Sequence, residues 1–175
     1  MMLRLVKVED VVRIPPDKFG EDITKVASDV LTEKYVGTLS PDLGLILAVT
    51  DVEVEPEGTI IPGDGATYHR AIVELLTFYP IVNEVVTGIV VDVKKIGLFV
   101  NIGPVDALVH ISQVSDDRMI YREEMSVLEG EETKVRFSKG DVVRGRITAV
   151  SLSRPSVLKI AMTMRQPGLG KVSLG

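Results

Sequence analysis

The sequence predicts an α+β domain followed by an all-β barrel, with the change of class near residue 82. Three observations carry this reading. Only one segment, 22–35, repeats its apolar residues at helical spacing, while the other ordered stretches alternate and are rich in Val and Ile. Turn residues punctuate the chain at Pro15-Pro16, Gly63-Asp64-Gly65, Pro80, Gly97 and Gly103-Pro104. The charge also divides: residues 1–82 hold seven Lys or Arg against fourteen Asp or Glu, and residues 83–175 hold thirteen against eleven. We therefore take 1–82 as the first domain and 83–175 as the second.

The first domain opens with a strand over 3–14, LRLVKVEDVVRI, ended by the two prolines. Asp22 is placed to cap a helix, and Ile23, Val26, Ala27, Val30 and Leu31 then form one apolar face, with Gly37 beyond the end as a stop. Residues 45–55 read as a second strand, 58–62 as a short extended piece and 66–79 as a long strand closed by Pro80. In the second domain five strands are expected at 84–95, 97–103, 105–111, 141–151 and 157–164. Five short strands with one long insertion suit a Greek-key barrel of the OB type. The insertion, 113–139, carries seven carboxylates and is expected to be a solvated helix and loop.

Composition excludes several functions. The chain has no Cys, so disulfides, thiolate metal sites and a Cys nucleophile are ruled out, and two His cannot make a His-rich metal centre. No run of eighteen apolar residues exists and the N-terminus lacks the apolar core of a signal peptide, so a cytoplasmic protein with no membrane contact is expected. A net charge of −5 argues against nucleic acid only if it is spread evenly. It is not: from Lys134 to Lys171 there are nine basic residues and one acid, Asp141.

Alternation assigns faces to the barrel strands. Leu98, Val100 and Ile102 are expected inside, with Phe99 and Asn101 outside, because an Asn in an apolar core is costly. Ile89, Val91 and Val93 are read as inward, Asp92 and Lys94 as outward. On the fourth strand Val143, Ile147 and Ala149 are read as inward, and Arg144, Arg146 and Thr148 as outward. On the fifth, Leu158, Ile160 and Met162 are inward and Lys159 is outward. An outward Phe among cations is the chemistry of single-stranded nucleic acid binding, in which cations follow phosphates and the ring stacks a base. The same pattern is compatible with an ordinary soluble surface, with a Phe packed under the insertion, or with an OB barrel that binds sugars or proteins.

The stretch GIVVDVKKIGLFVNIGPVDALVHIS, from Gly88 to Ser112, resembles the ribosomal-protein-S1-type RNA-binding family. The matching residues are Gly88, Val90, Gly97, Phe99, Val100, Leu108, Val109, His110, Ile111 and Ser112, and Gly140-Asp141-Val142-Val143 resembles the opening of the family's fourth strand. The resemblance implies an RNA face on which Phe99 is the second aromatic, His110 the histidine and Lys159 the last-strand cation. Ile96 stands in place of the first aromatic, and Ser151 in place of the acid that often ends the fourth strand. Phosphate contacts from Lys94, Arg144, Arg146, Arg154 and Lys159 then gain weight. LVKVEDVVRIPPDKFG, LGLILAV at 43–49, IIPGDGATYHR at 60–70 and MRQPGLGK at 164–171 together resemble the E-prime family of archaeal RNA polymerase stalk proteins, related to the seventh subunit of eukaryotic polymerase II. That resemblance implies a truncated RNP-like N-terminal domain before the OB domain, a heterodimer with the smaller of the two stalk subunits, docking on the RNA polymerase core, and contact with nascent single-stranded RNA.

Other candidate sites are weaker. Gly63-Asp64-Gly65 lacks the Gly-Lys-Ser/Thr of a phosphate loop and reads as a tight turn; the family resemblance adds a docking role on the core. His69 has no metal-binding neighbour in sequence. Asp116-Asp117 and Glu131-Glu132 read as solvated pairs. With no catalytic triad, zinc motif or nucleotide loop, the chain is expected to be no enzyme by itself and to need no cofactor or metal. The rival to the polymerase reading is a free-standing or exosome-associated RNA-binding adaptor, which residues 1–82 discriminate.

Overall fold

A computed structural model describes residues 2–153 and 157–172. Arg154, one of the expected phosphate contacts, lies outside the described residues. The chain forms two compact units, Met1–Tyr79 and Pro80–Gly175.

The first unit is a sheet with one helix on it. Strand β1 (Leu3–Ile14) is followed by helix α1 (Ile23–Tyr35), β2 (Leu39–Ser40), β3 (Gly44–Val54), β4 (Thr59–Ile60) and β5 (Thr67–Phe78). The sheet order is β1-β5-β3-β2, with β4 paired to β5, and β1 and β5 run antiparallel in unbroken register from Leu3–Phe78 to Ile14–Thr67. The Asp22 carboxylate accepts from the Thr24 amide at 3.0 Å, so the expected cap is made, and Gly37 follows the helix at φ +85°. Val26, Ala27 and Leu31 of α1 bury against Val12, Ile14, Ile46, Val52, Ala71, Val73 and Leu75. Burying Leu31 alone is worth about 1.5–3 kcal/mol. The end of α1 is tied to β1 by Asp10, whose carboxylate accepts from Lys34 Nζ at 2.6 Å and from the Tyr35 hydroxyl. Burial acts to raise the Asp10 pKa, but these hydrogen bonds outweigh it and hold the carboxyl below its usual value.

The second unit is a closed barrel. Its strands are β6 (Val85–Lys94), β7 (Gly97–Asn101), β8 (Asp106–His110), then β9 (Met119–Arg122), β10 (Val127–Gly130) and β11 (Arg136–Phe137), then β12 (Val142–Ser153), β13 (Val157–Thr163) and the short β14 (Gly170–Lys171). The order β13-β8-β7-β6-β12 closes because β12 also pairs with β13, and β13 joins β8 in parallel. Val90, Val93, Leu98, Val100, Val109, Val143, Ile147, Ile160 and Met162 fill the interior.

Three expectations are corrected. Ile89 is 52% exposed rather than inward, and Val90 is buried in its place. The cause is a bulge between Val90 and Asp92, where an extra residue reverses the alternation and leaves Val93 facing in as expected. A second bulge between Ile147 and Ala149 turns Ala149 outward. The 113–139 insertion is not a helix and loop: after a 3-10 turn it forms the three-stranded sheet β11-β10-β9. Met119, Val127, Leu128 and Phe137 are buried there, and the buried Glu129 carboxylate lies 3.5 Å from Arg122 and 3.7 Å from Arg136. Of its acids, Asp117 is also engaged, accepting from the Glu132 and Thr133 amides and the Thr133 hydroxyl, and these bonds lower its pKa.

Candidate nucleic-acid interface

The outer wall of β7, β8 and β13 carries three of the expected site residues, Phe99, His110 and Lys159. Phe99 alternates with the buried Leu98 and Val100 and so stands outward, half-buried. Its cross-strand neighbours are Asp92 on β6 and Leu108 on β8. Leu108 is in turn opposite Ala161 across the parallel β8–β13 ladder. Phe99, Leu108 and Ala161 therefore form one apolar row about two strand spacings wide, near 10 Å, which is enough to carry a base. The sequence alone does not assign Leu108 and Ala161 to this row. Finding them requires the β8–β13 register, which joins residues 53 apart in the chain.

Cations border the row. Lys94 places its Nζ 5.3 Å from the Phe99 ring centroid and 3.7 Å from Asp92. Lys159 is exposed on β13, opposite Ser151 on β12, and on its other side the parallel register with β8 places it next to Asp106, whose carboxylate accepts from Asn101. Arg144 is exposed on β12 but lies away from the row: its β6 partner is Thr87, five residues along the strand from Asp92, and it has no ion-pair partner among the described residues. Arg146 stands apart from these. Its Nε donates to Gln166 Oε1 at 2.6 Å and its Nη1 to the Asn83 carbonyl at 2.9 Å, so its fork braces the chain entering the barrel against the chain leaving it.

His110 closes β8 and is exposed. Its Nδ1 accepts from the Ser112 amide at 3.2 Å and lies 2.8 Å from the Ser112 hydroxyl, which caps the 3-10 turn at Ile111–Gln113. With Nδ1 accepting, the proton of the neutral ring is on Nε2, where it is available as a donor. Ile96, in the place of a first aromatic, is 48% exposed beside this wall at the β6–β7 turn. The face is not uniformly positive: Asp92 lies on it, and Asp106 accepts from Asn101 at 2.9 Å.

The Gly63-Asp64-Gly65 turn is braced from inside. Asp64 accepts from Arg13 Nε at 3.1 Å and Nη2 at 2.9 Å, from the Ala66 amide at 3.1 Å, and from the Tyr68 hydroxyl. The Arg13 and Tyr68 bonds hold its carboxyl well below the usual carboxylate range. Gly63 sits at φ +89° with open space around it. The side chains offered at this tip are Ile60, 70% exposed, and Ile61, 46% exposed. His69 is structural: buried in β5, its Nδ1 pairs with the Glu55 carbonyl at 2.8 Å and its Nε2 with the Thr67 hydroxyl at 2.9 Å. Among the described residues no cluster of His, Asp or Glu could hold a metal ion, and no helix is long and apolar enough to cross a membrane.

Comparison with known proteins gives a match in each half of the chain. Residues 9–65 match the SHS2 domain found in the N terminus of Rpb7p/Rpc25p/MJ0397, and residues 79–151 match the S1 RNA binding domain. The chain is 44% identical over 172 residues to DNA-directed RNA polymerase subunit Rpo7 of Saccharolobus solfataricus, covering 98% of this chain and 96% of that one. It is 42% identical over 171 residues to the protein of the same name in Sulfolobus acidocaldarius, covering 98% and 93%. A more distant relative, DNA-directed RNA polymerase III subunit RPC8 of Saccharomyces cerevisiae, is 31% identical over 150 residues, covering 83% and 71%.

Proposed function

The chain belongs to the Rpo7 family of DNA-directed RNA polymerase subunits, and on that premise we propose that it is the non-catalytic stalk subunit of such a polymerase in the cytoplasm. In this reading it pairs with the smaller of the two stalk subunits, docks on the polymerase core through the tip at Ile60–Gly65, and holds nascent single-stranded RNA on the barrel. In this reading the N-terminal unit, which carries the SHS2 match, is the truncated RNP-like domain that the family resemblance implies. The adaptor alternative has no support of its own, because the matched relatives share the first domain as well as the barrel.

The observation that carries the RNA reading is the row of Phe99, Leu108 and Ala161 bordered by Lys94 and Lys159. A base stacks on Phe99 while the flanking phosphates meet Lys94 and Lys159, and Arg144 meets a phosphate further along the RNA strand. Lys94 already lies over the ring, and its long stem lets it move from the ring to a phosphate as the base arrives. Asp106, beside Lys159 on β8, is engaged by Asn101, and Lys159 makes no ion pair among the described residues that RNA would have to break. Arg146 is left out of the contact set because Gln166 and Asn83 hold its guanidinium. The preference for base identity is slight, since every base has a face to stack.

The test is fluorescence anisotropy with a short labelled single-stranded RNA and the purified chain. Phe99→Ala should weaken binding by about 1–3 kcal/mol. Lys159→Glu should reduce the dependence of log affinity on log salt by about one phosphate contact, near 0.7 in slope. Unchanged affinity for Phe99→Ala would remove the stacking face from the mechanism.

A further inference from the structure

The helix and the apolar core of the first unit lie on one face of its sheet, and the opposite face is bare. Val8, Val12, Ala71, Val73 and Val52 turn toward α1. Their neighbours turn away, and the strand register sets them in rows. Glu9 on β1 lies opposite Ile72 on β5, which lies opposite Glu53 on β3. In the next row Val11 lies opposite Arg70, whose carbonyl accepts from the Glu55 amide. Together these residues line a groove of about 640 Å³ across β1, β5 and β3. Its floor is aliphatic and open: Val11 is 52% exposed and Ile72 is 40% exposed.

Charge says what fits there. Glu9, Glu53 and Glu55 line the groove with Arg70, and none of the four makes an ion pair among the described residues. Two carboxylates at the ends of one row stand two strand spacings apart, about 9.5 Å, with an aliphatic side chain between them. Such a surface repels phosphate and so disfavours RNA. An extended polypeptide places alternate side chains on one face at about 6.8 Å intervals. Two cationic side chains four residues apart, with an aliphatic one midway, can therefore reach Glu9 and Glu53 while covering Ile72. The long stems of Lys and Arg absorb the difference in spacing.

We propose that this groove is a docking site for an extended segment of a protein partner in which Lys or Arg side chains flank an aliphatic one. The site uses residues of the first unit alone and does not include Ile60 or Ile61 of the tip.

The probe is a labelled peptide that repeats Lys-Thr-Val-Thr three times, titrated into the full chain and followed by amide chemical shifts. Two control peptides replace every Lys by Glu, or every Val by Ser. The Lys–Val peptide should shift the amides of Val11, Arg70, Ile72 and Glu53. The double variant Glu9→Gln/Glu53→Gln should weaken it about tenfold and Ile72→Ser about fivefold, with Phe99→Ala leaving it unchanged. All three substitutions in the groove are at exposed positions, so the variants should fold, and their unperturbed amide spectra check this. Equal binding of the Lys–Ser peptide would show a charge sponge without a shaped site and overturn the proposal. So would binding that ignores the double variant, or shifts confined to the barrel.

Discussion

The two units are both built from strands, yet one is left open and the other closes on itself. In the first, β1 is an edge strand twelve residues long, paired only with β5, and the sheet carries a helix on one face alone. In the second, the β12–β13 pairing completes the ring of five strands and leaves that ring no free edge. Charge follows the same division, with a twofold excess of acids in residues 1–82 and the basic run in residues 134–171. The contrast teaches where each kind of partner belongs. An open sheet edge and a bare face are unfinished surfaces that other polypeptides can complete. A closed barrel completes its own backbone hydrogen bonding, so its outer side chains are free for stacking and for phosphates.

The largest expected effects test whether the units fail separately. Gly97 has φ +149°, and a Cβ there would lie 2.0 Å from the Val109 carbonyl oxygen. Gly44 has φ +81°, and its Cβ would lie 2.3 Å from the Phe78 carbonyl oxygen. In both cases the obstacle is backbone in a paired strand, which cannot yield cheaply. Alanine at either position should cost about 3 kcal/mol or more, a fall of roughly 12 °C or more in the melting temperature of the affected unit. Differential scanning calorimetry should show Gly97→Ala lowering the barrel transition and Gly44→Ala the other. If each variant lowers both transitions together, the units melt as one and the comparison fails in its energetics.

A smaller effect sharpens the open half. Ile60 and Ile61 are the apolar side chains presented at the tip, and Asp64 fixes the turn beneath them. Ile60→Ser/Ile61→Ser should weaken capture of the polymerase core by an immobilised chain tenfold or more. Asp64→Asn should weaken it less, because the Tyr68 and Ala66 bonds can survive in part. The sign of the pH dependence follows from the lowered Asp64 pKa. The brace is fully present above the ordinary carboxylate range and is lost only as pH falls below about 4 toward the depressed value. A carboxyl NMR titration should show Asp64 protonating only below the ordinary carboxylate range. Protonation within the ordinary carboxylate range would mean that the brace is absent in solution.

The legibility of the sequence also differs between regions. The strand at 3–14 and the Asp22-capped helix are readable because each has a clean period and a turn residue at its end, and the five barrel strands are readable as strands from their Val- and Ile-rich runs between turn residues. Expectation and structure part where a single residue breaks the period. The bulge after Val90 exposes Ile89 and the one after Ile147 exposes Ala149, and neither carries a glycine or proline to announce it. The 113–139 sheet is hidden because its strands are only four, four and two residues long, too short for a period to show among so many carboxylates. At the candidate site, Phe99 and His110 are visible as exceptions to alternation and through their resemblance. Arg146 reads in sequence as one more outward cation because its partners Asn83 and Gln166 are distant along the chain. Outwardness alone does not distinguish a brace from a free cation.

His110 is where the barrel's own folding requirement and its candidate function meet, and it carries the smallest predicted effect. Its Nδ1 caps the turn at Ile111–Gln113, and its backbone lies opposite Gly97, where a side chain would collide. The capping role needs only a short acceptor, which Asn supplies and Ala does not. The RNA role needs the ring, with Nε2–H as donor. His110→Ala should therefore lower barrel stability by about 0.5–1 kcal/mol, while His110→Asn should leave the melting temperature close to that of the parent. Both should weaken single-stranded RNA binding by a similar two- to threefold, about 0.5 kcal/mol, in line with one neutral hydrogen bond. If His110→Asn keeps full RNA affinity as well as stability, the histidine serves the fold alone. The RNA face then reduces to Phe99, its apolar row and the bordering cations.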